Sequence, residues 1–336
     1  MRRLRPASPT TVSPVSTPPT PVQVPDSSHG NRRALWRARW GTWPTRWTFP
    51  VLVANLVAQV VIIGTGGAVR LTASGLGCST WPQCEPGHFT PMHVDAASYH
   101  AAIEFGNRMI TGILLVISLL VAVAVWSGRE RARSYRLLGL VPLAGVLLQA
   151  VIGGITVLVK LNPAIVASHL LISMALVAAS TVLVRRHRRE DGTPRPVVGP
   201  LIVVMSRALV VATVVVLALG VVVTGSGPHS GDSVVGYRFA VDPAAMAKVH
   251  AGAVWVFLVV LASILVALRR EHAPAETRRS ALVLLALTLA QGVIGYVQYA
   301  TGLPALLVGV HMVAAALLTV AVTWFVTTLR VRSGSR

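Results

Sequence analysis

The sequence predicts an all-α integral membrane protein of eight transmembrane helices, arranged as two pseudo-symmetric parallel four-helix bundles. Three observations carry that expectation. The 336 residues are 54% hydrophobic and only 12% charged, with repeated apolar runs, and a run of about twenty such residues crosses roughly 30 Å of hydrocarbon. The basic residues gather in alternate loops. The second half of the chain also repeats the first.

Residues 1–47 are rich in Pro, Ser, Thr and Arg and lack an apolar block followed by a small-residue cleavage site. They read as a disordered cytoplasmic tail rather than a signal peptide. The stretch STPPTPVQVP would suit a proline-reading partner, but its plainer reading is a solvated tail. Spans follow at 48–69, 101–126, 137–159, 165–184, 198–224, 245–268, 281–300 and 303–326. They divide into an N-terminal bundle (48–184), a C-terminal bundle (198–328) and a short tail (329–336).

Orientation comes from charge. With the N-terminus inside, all of the 30 Lys and Arg residues except Arg70, Arg108, Lys160, Arg238 and Lys248 fall on the cytoplasmic side. That asymmetry predicts a multi-pass protein of the cell membrane with both termini cytoplasmic. The net charge of +19 is thereby accounted for with the lipid bilayer as partner and without nucleic acid.

The repeat is explicit. LLQAVIGGITVLVKLNPAIVASHLLISM, from Leu147, aligns with LAQGVIGYVQYATGLPALLVGVHMVAAA, from Leu289. Each copy sets a Gln twenty residues before a His, as Gln149 to His169 and Gln291 to His311. IIGTGGAVRLTASG near the end of the first span likewise resembles VVVTGSGPHSGD at the end of the fifth. Four helices per copy is an even number, so both copies face the same way and their pseudo-twofold axis runs along the membrane normal.

The polar residues within the apolar runs are the candidates for chemistry, because burying them in a bilayer is costly. His250 and His311 lie near the outer ends of two different helices of the second copy. Two imidazoles at similar depth suit the axial positions of a b-type heme, the plain alternative being interhelical hydrogen bonds. In the first copy His169 matches His311, and the position of His250 is taken by Asn107 or a neighbour. His100, Glu104, Asn107, Arg108 and Thr111 fall at intervals of three or four and form one stripe on the second helix. Such a stripe should face a pocket, with Glu104 and Arg108 able to pair. The only cysteines, Cys78 and Cys84, share the first outer loop, and two readings stand: a structural disulfide or a redox-active pair.

On GGAVRLTASGLGCSTWPQC, IEFGNR, TGSGPHSGD and the histidines of ASHLL, KVHAG and GVHMV, the chain resembles the heme A synthases, membrane enzymes of cytochrome oxidase assembly, over about residues 48–328. The resemblance implies oxidation of a porphyrin methyl group of heme O to the formyl group of heme A, with molecular oxygen or water supplying the oxygen atom. It implies heme b on His250 and His311 in the C-terminal bundle. It also implies a substrate side in the N-terminal bundle with Glu104 and His169. Arg108, or Arg70 at the rim, is the candidate partner for a heme propionate or for Glu104. Heme O synthase and a quinol or other electron donor are the implied partners. The family's Glu-x-x-His becomes Glu104-x-x-Asn107 here. Three outcomes follow: His169 ligates alone and leaves an open iron position, His100 substitutes, or Asn107 hydrogen-bonds a ligand. The first is preferred, because chemistry near an iron needs a vacant site. The competing classes are a two-heme, quinol-linked electron carrier and a proton-coupled transporter.

Overall fold

The computed structural model describes residues 45–92 and 98–333. The expected N-terminal tail lies outside the described residues up to position 44, as do the last three residues. Eight helices are long and apolar enough to cross a membrane, and the chain is a multi-pass membrane protein. In order they are α1 (Thr45–Leu71), α2 (Ser98–Ser127), the pair α3 (Arg133–Leu138) and α4 (Val141–Leu158), which together make the third span, and α5 (Pro163–His187). The second half holds α6 (Pro200–Ser226), α7 (Pro243–Arg270), α8 (Ala275–Ala300) and α9 (Ala305–Thr328).

Sequence explains the ends. Asn162 and Asp242 cap α5 and α7, their side chains accepting backbone N–H groups at Ala164 (3.0 Å) and Ala245 (2.9 Å). Pro163 and Pro243 follow at the first helical positions, where the missing donor costs nothing. The third span breaks at Gly139, whose α-carbon packs so tightly on Val125 that no side chain fits there.

Packing runs α1–α2, α2–α4, α4–α5 and α5–α1 in the first half, and α6–α7, α7–α8, α8–α9 and α9–α6 in the second. The halves meet through α1, α5, α6 and α9. Aliphatic residues such as Val57, Ile113, Leu119, Val211 and Val259 stay exposed on the helices, which is what a lipid solvent permits. Asn55 is buried and donates from Nδ2 to Ser180 Oγ at 3.0 Å, tying α1 to α5.

Dense apolar cores occupy the side of the membrane that carries both ends of the described chain. Leu52, Val121, Val125, Tyr135 and Leu183 form one in the first half. Ile202, Leu261, Leu268, Leu284 and Phe325 belong to the larger one in the second. On that same side Asp191 accepts from Arg131 Nε (2.7 Å) and from the Ala132 N–H (2.7 Å). Burial pushes the Asp191 carboxyl up, but these bonds outweigh it and hold it below the ordinary carboxylate range.

The sequence reading places no strand anywhere, yet β1 (Thr193–Pro196) pairs antiparallel with β2 (Arg330–Ser333). Residues 330–333 are therefore part of the fold and not a loose tail. The ribbon ties the linker between the halves to the end of the chain.

Candidate functional site

On the opposite side, the first half opens into a cavity of about 390 Å³, within the ~300–1,000 Å³ range of small-molecule and cofactor pockets. The polar stripe of α2 reaches it: Glu104, Asn107, Arg108 and Thr111 all line the wall. α5 contributes His169, α4 contributes Gln149 and α1 contributes Gln59 and Arg70, while Thr224 of α6 and Met312 of α9 complete the wall from the second half.

The disulfide loop covers this cavity. Cys78 and Cys84 are bonded, with Cα atoms 4.4 Å apart and both residues fully buried. Glu104 clamps the loop from below, its Oε2 accepting the Cys78 N–H at 2.7 Å and its Oε1 accepting from Arg108 Nη2 at 2.6 Å. Arg108 also donates to the carbonyls of Thr80 (3.0 Å) and Gln83 (3.1 Å). Trp81 and Pro82 consequently line the cavity, with the indole laid on Gly154, where a side chain would collide with it.

His169 is held by its backbone. Gln149 Nε2 donates to the His169 carbonyl at 2.8 Å, and the ring Nδ1 is buried without a hydrogen-bond partner. Gly153, four residues after Gln149, faces the imidazole at van der Waals distance. Asn107 accepts from Thr65 Oγ1 at 2.8 Å. Arg70 reaches across to the second half and donates from Nη2 to the Thr224 carbonyl at 2.9 Å, while its Nε is buried and unpartnered.

His100 is not among the residues lining the cavity. Its Nδ1 is 2.9 Å from Ser74 Oγ, and its ring lies 3.8 Å from that of Tyr99. The stripe places it on the correct face but too far outward.

In the second half α8 and α9 repeat the same glutamine grip on a histidine carbonyl, without the further bond that Gln149 makes to Ser173. Gln291 Nε2 donates to the His311 carbonyl at 2.9 Å, and Gly295 faces the imidazole. His250 comes from α7, with its imidazole against Gly220. Nδ1 of His250 and Nδ1 of His311 are both buried without a hydrogen-bond partner. Among the described residues no three His, Cys, Asp or Glu side chains converge as a metal site. A lone pair of imidazoles suits an iron whose remaining ligands come from a macrocycle, so the donor set fits heme rather than a bare ion.

The family described as cytochrome oxidase assembly protein (COX15-CtaA) matches residues 46–229. The chain belongs to that family. Its match takes in α1 to α6, and with them the whole disulfide loop and every α2 residue of the cavity. Relatives of this chain include the heme A synthase of Lysinibacillus sphaericus, 33% identical over 132 residues, or 39% of this chain and 42% of the relative. Heme A synthases of Bacillus pumilus (34% over 145 residues; 42% and 45% covered) and Shouchella clausii (30% over 152 residues; 45% and 48% covered) are also similar. The matched stretch spans less than half the length of each of these relatives.

Sequence reasoning missed the side chains that build the site without reacting in it. Gln149 and Gln291 were visible as repeat markers, and their twenty-residue spacing to histidine was the available signal. Trp81 stood inside the stretch GCSTWPQC without anything to mark it as a cover, and Gln59 carried no signal.

Proposed function

We propose that this protein is a heme A synthase that oxidises a methyl group of heme O to the formyl group of heme A inside the first-half cavity. The observation that carries the proposal is the placement of His169, with its unpartnered Nδ1, and Glu104 in one cavity of a chain from this family. Residues 48–184 form the substrate bundle in this reading. Residues 198–328 form the second bundle, in which His250 and His311 hold heme b. When bound, that heme supplies a path for electrons.

The protein's own groups do the rest. His169 orients the substrate, and Asn107, already satisfied by Thr65, supplies no second strong ligand from α2. Among the described residues Glu104 is the only carboxylate on the cavity wall, which makes it the proton-handling group, with Arg108 holding its orientation. Arg70, with a free Nε at the wall, is placed to meet a heme propionate. The disulfide loop, carrying Trp81 over the cavity, excludes water from above. Cys78 and Cys84 act as a staple in this scheme, since reactive cysteines sit in exposed positions. His100 holds the loop through Ser74 and takes no part in ligation. The membrane is the cell membrane, with both termini cytoplasmic and the cavity facing the outer side, as the basic residues indicate. Heme O synthase is the natural source of substrate, and a quinol or another donor the natural redox partner.

The test is expression in a host that makes heme O but no heme A, followed by extraction and mass analysis of the hemes. Heme A is the expected product. Bound heme b without heme A, with heme O supply confirmed, would overturn the proposal.

A further inference from the structure

A second cavity, of about 500 Å³, lies at the opposite end of the molecule from the disulfide loop, between α5, α6 and α9. Its rim is basic, with Arg185, Arg186, Arg189, Arg207, Arg330 and Arg332 all lining it. Part of that charge is matched. Arg185 pairs with Glu276 at 2.6 Å, Arg189 lies 3.7 Å from the same carboxylate, and Arg186 lies 3.6 Å from Asp191. Neither Glu276 nor Asp191 pairs with Arg207, Arg330 or Arg332, so the six arginines outnumber the two carboxylates that meet them.

The position of Arg207 is the telling feature. It sits seven residues inside α6, about 10 Å along the helix from Pro200 at 1.5 Å per residue, on an exposed face of a span. It has no hydrogen-bond or ion-pair partner among the described residues. A guanidinium near a helix end extends toward the headgroup level, where the anionic groups of lipids lie. Below the arginines the walls turn apolar: Val182, Val203, Val210, Val211 and Val326 line the same cavity, and Val211 is 62% exposed. A charged rim above an apolar, laterally open floor matches a molecule with an anionic head and hydrocarbon tails.

We infer that this groove holds one anionic phospholipid, its phosphate on Arg207 and Arg330 and its acyl chains along the valines. The arginine fork is suited to phosphate oxygens, which it meets two at a time. Because α5 belongs to the first half and α6 and α9 to the second, the lipid fastens the seam between them.

The test is native mass spectrometry of the full chain in a mild detergent, titrated with dioleoyl-phosphatidylglycerol or dioleoyl-phosphatidylcholine. The expected result is a single phosphatidylglycerol bound at least about tenfold more tightly than phosphatidylcholine, given two or more phosphate-facing arginines. The double variant Arg207→Gln with Arg330→Gln should lose that preference. A double variant at Arg269 and Arg270, which removes the same charge outside the groove, should keep it. Val210→Trp, which fills the apolar floor without touching charge, should also lose the bound lipid and serves if the arginine variant does not fold. Equal binding of the two lipids to the unmodified protein would overturn the inference, as would equal losses in the two arginine variants. Displacement of the lipid by millimolar inorganic phosphate would show a site for a soluble anion and overturn it as well.

Discussion

In both halves the turn between the last two helices takes the same backbone path. Lys160 and Leu161 have φ of 53° and 59°, and their counterparts Gly302 and Leu303 have 76° and 61°. Each turn leads into a helix whose histidine carbonyl is gripped by a glutamine amide, at 2.8 Å in one half and 2.9 Å in the other. The difference lies at the facing helices. α7 carries His250, whose Nδ1 has no partner, whereas α2 carries Asn107, hydrogen-bonded to Thr65, and Glu104, hydrogen-bonded to the disulfide loop. The comparison teaches that the repeat conserves the means of holding one imidazole and frees the opposite wall. One half keeps a matched pair of nitrogens, and the other exchanges its second nitrogen for a covered, acid-lined cavity.

The sharpest way to break this comparison is to remove one imidazole from each half. If the second half alone holds resident heme b, His311→Ala should cut b-type absorbance of the purified protein by at least about tenfold, a loss no smaller than that of an outer-shell partner. His169→Ala should leave most of that absorbance and abolish heme A formation. Equal spectral losses in the two variants would mean that the halves are loaded alike, and the asymmetry argued from Asn107 would fall.

A smaller effect separates the loop's roles. The disulfide closes a short loop, and replacing Cys78 and Cys84 together by Ser should cost about 2–3 kcal/mol of stability by the chain-entropy relation. Glu104→Gln removes a charge-assisted bond to Arg108 and should cost about 1.5–3 kcal/mol. Because the Glu104–Arg108 pair and the disulfide hold the same loop, the combined variant should deviate from additivity by more than about 0.5 kcal/mol in detergent unfolding. Strict additivity would show that the two hold the loop independently. The absorbance from His250 and His311 should persist throughout, since nothing on their wall has changed.

How much of this was legible in the sequence depended on range. The eight spans, the repeat and the Glu104–Arg108 pair are set by hydropathy and by spacing along one segment, and the structure has them. Periodicity gives a face but not a depth, so His100 shared the stripe of α2 yet emerged beside Ser74, outside the cavity. The second partner of Glu104 is a backbone N–H, which every residue offers and no sequence pattern marks. β1 was hidden because TPRP, with two prolines, reads as linker, and its pairing with the chain end is a contact across 140 positions. The positive-inside count placed Arg185, Arg207 and Arg330 on one side of the membrane without indicating that three separate segments bring them around one groove.

The smallest expected effect tests the repeat at its most local point. Lys160 occupies a left-handed conformation that its counterpart satisfies with glycine, and a residue with a Cβ incurs a steric cost there, of order 1 kcal/mol. Lys160→Gly relieves that strain but gives the unfolded chain more freedom to lose, so the net gain should be a fraction of 1 kcal/mol. The reverse change, Gly302→Ala, introduces the strain without compensation and should destabilise by about 1 kcal/mol or slightly more. Thermal unfolding in detergent should therefore move in opposite directions for the two variants. If both move down, Lys160 holds its turn through a contact that Gly302 does not need. The two turns would then share a backbone path for different reasons, and the repeat would reach only as far as the glutamine and histidine that follow it.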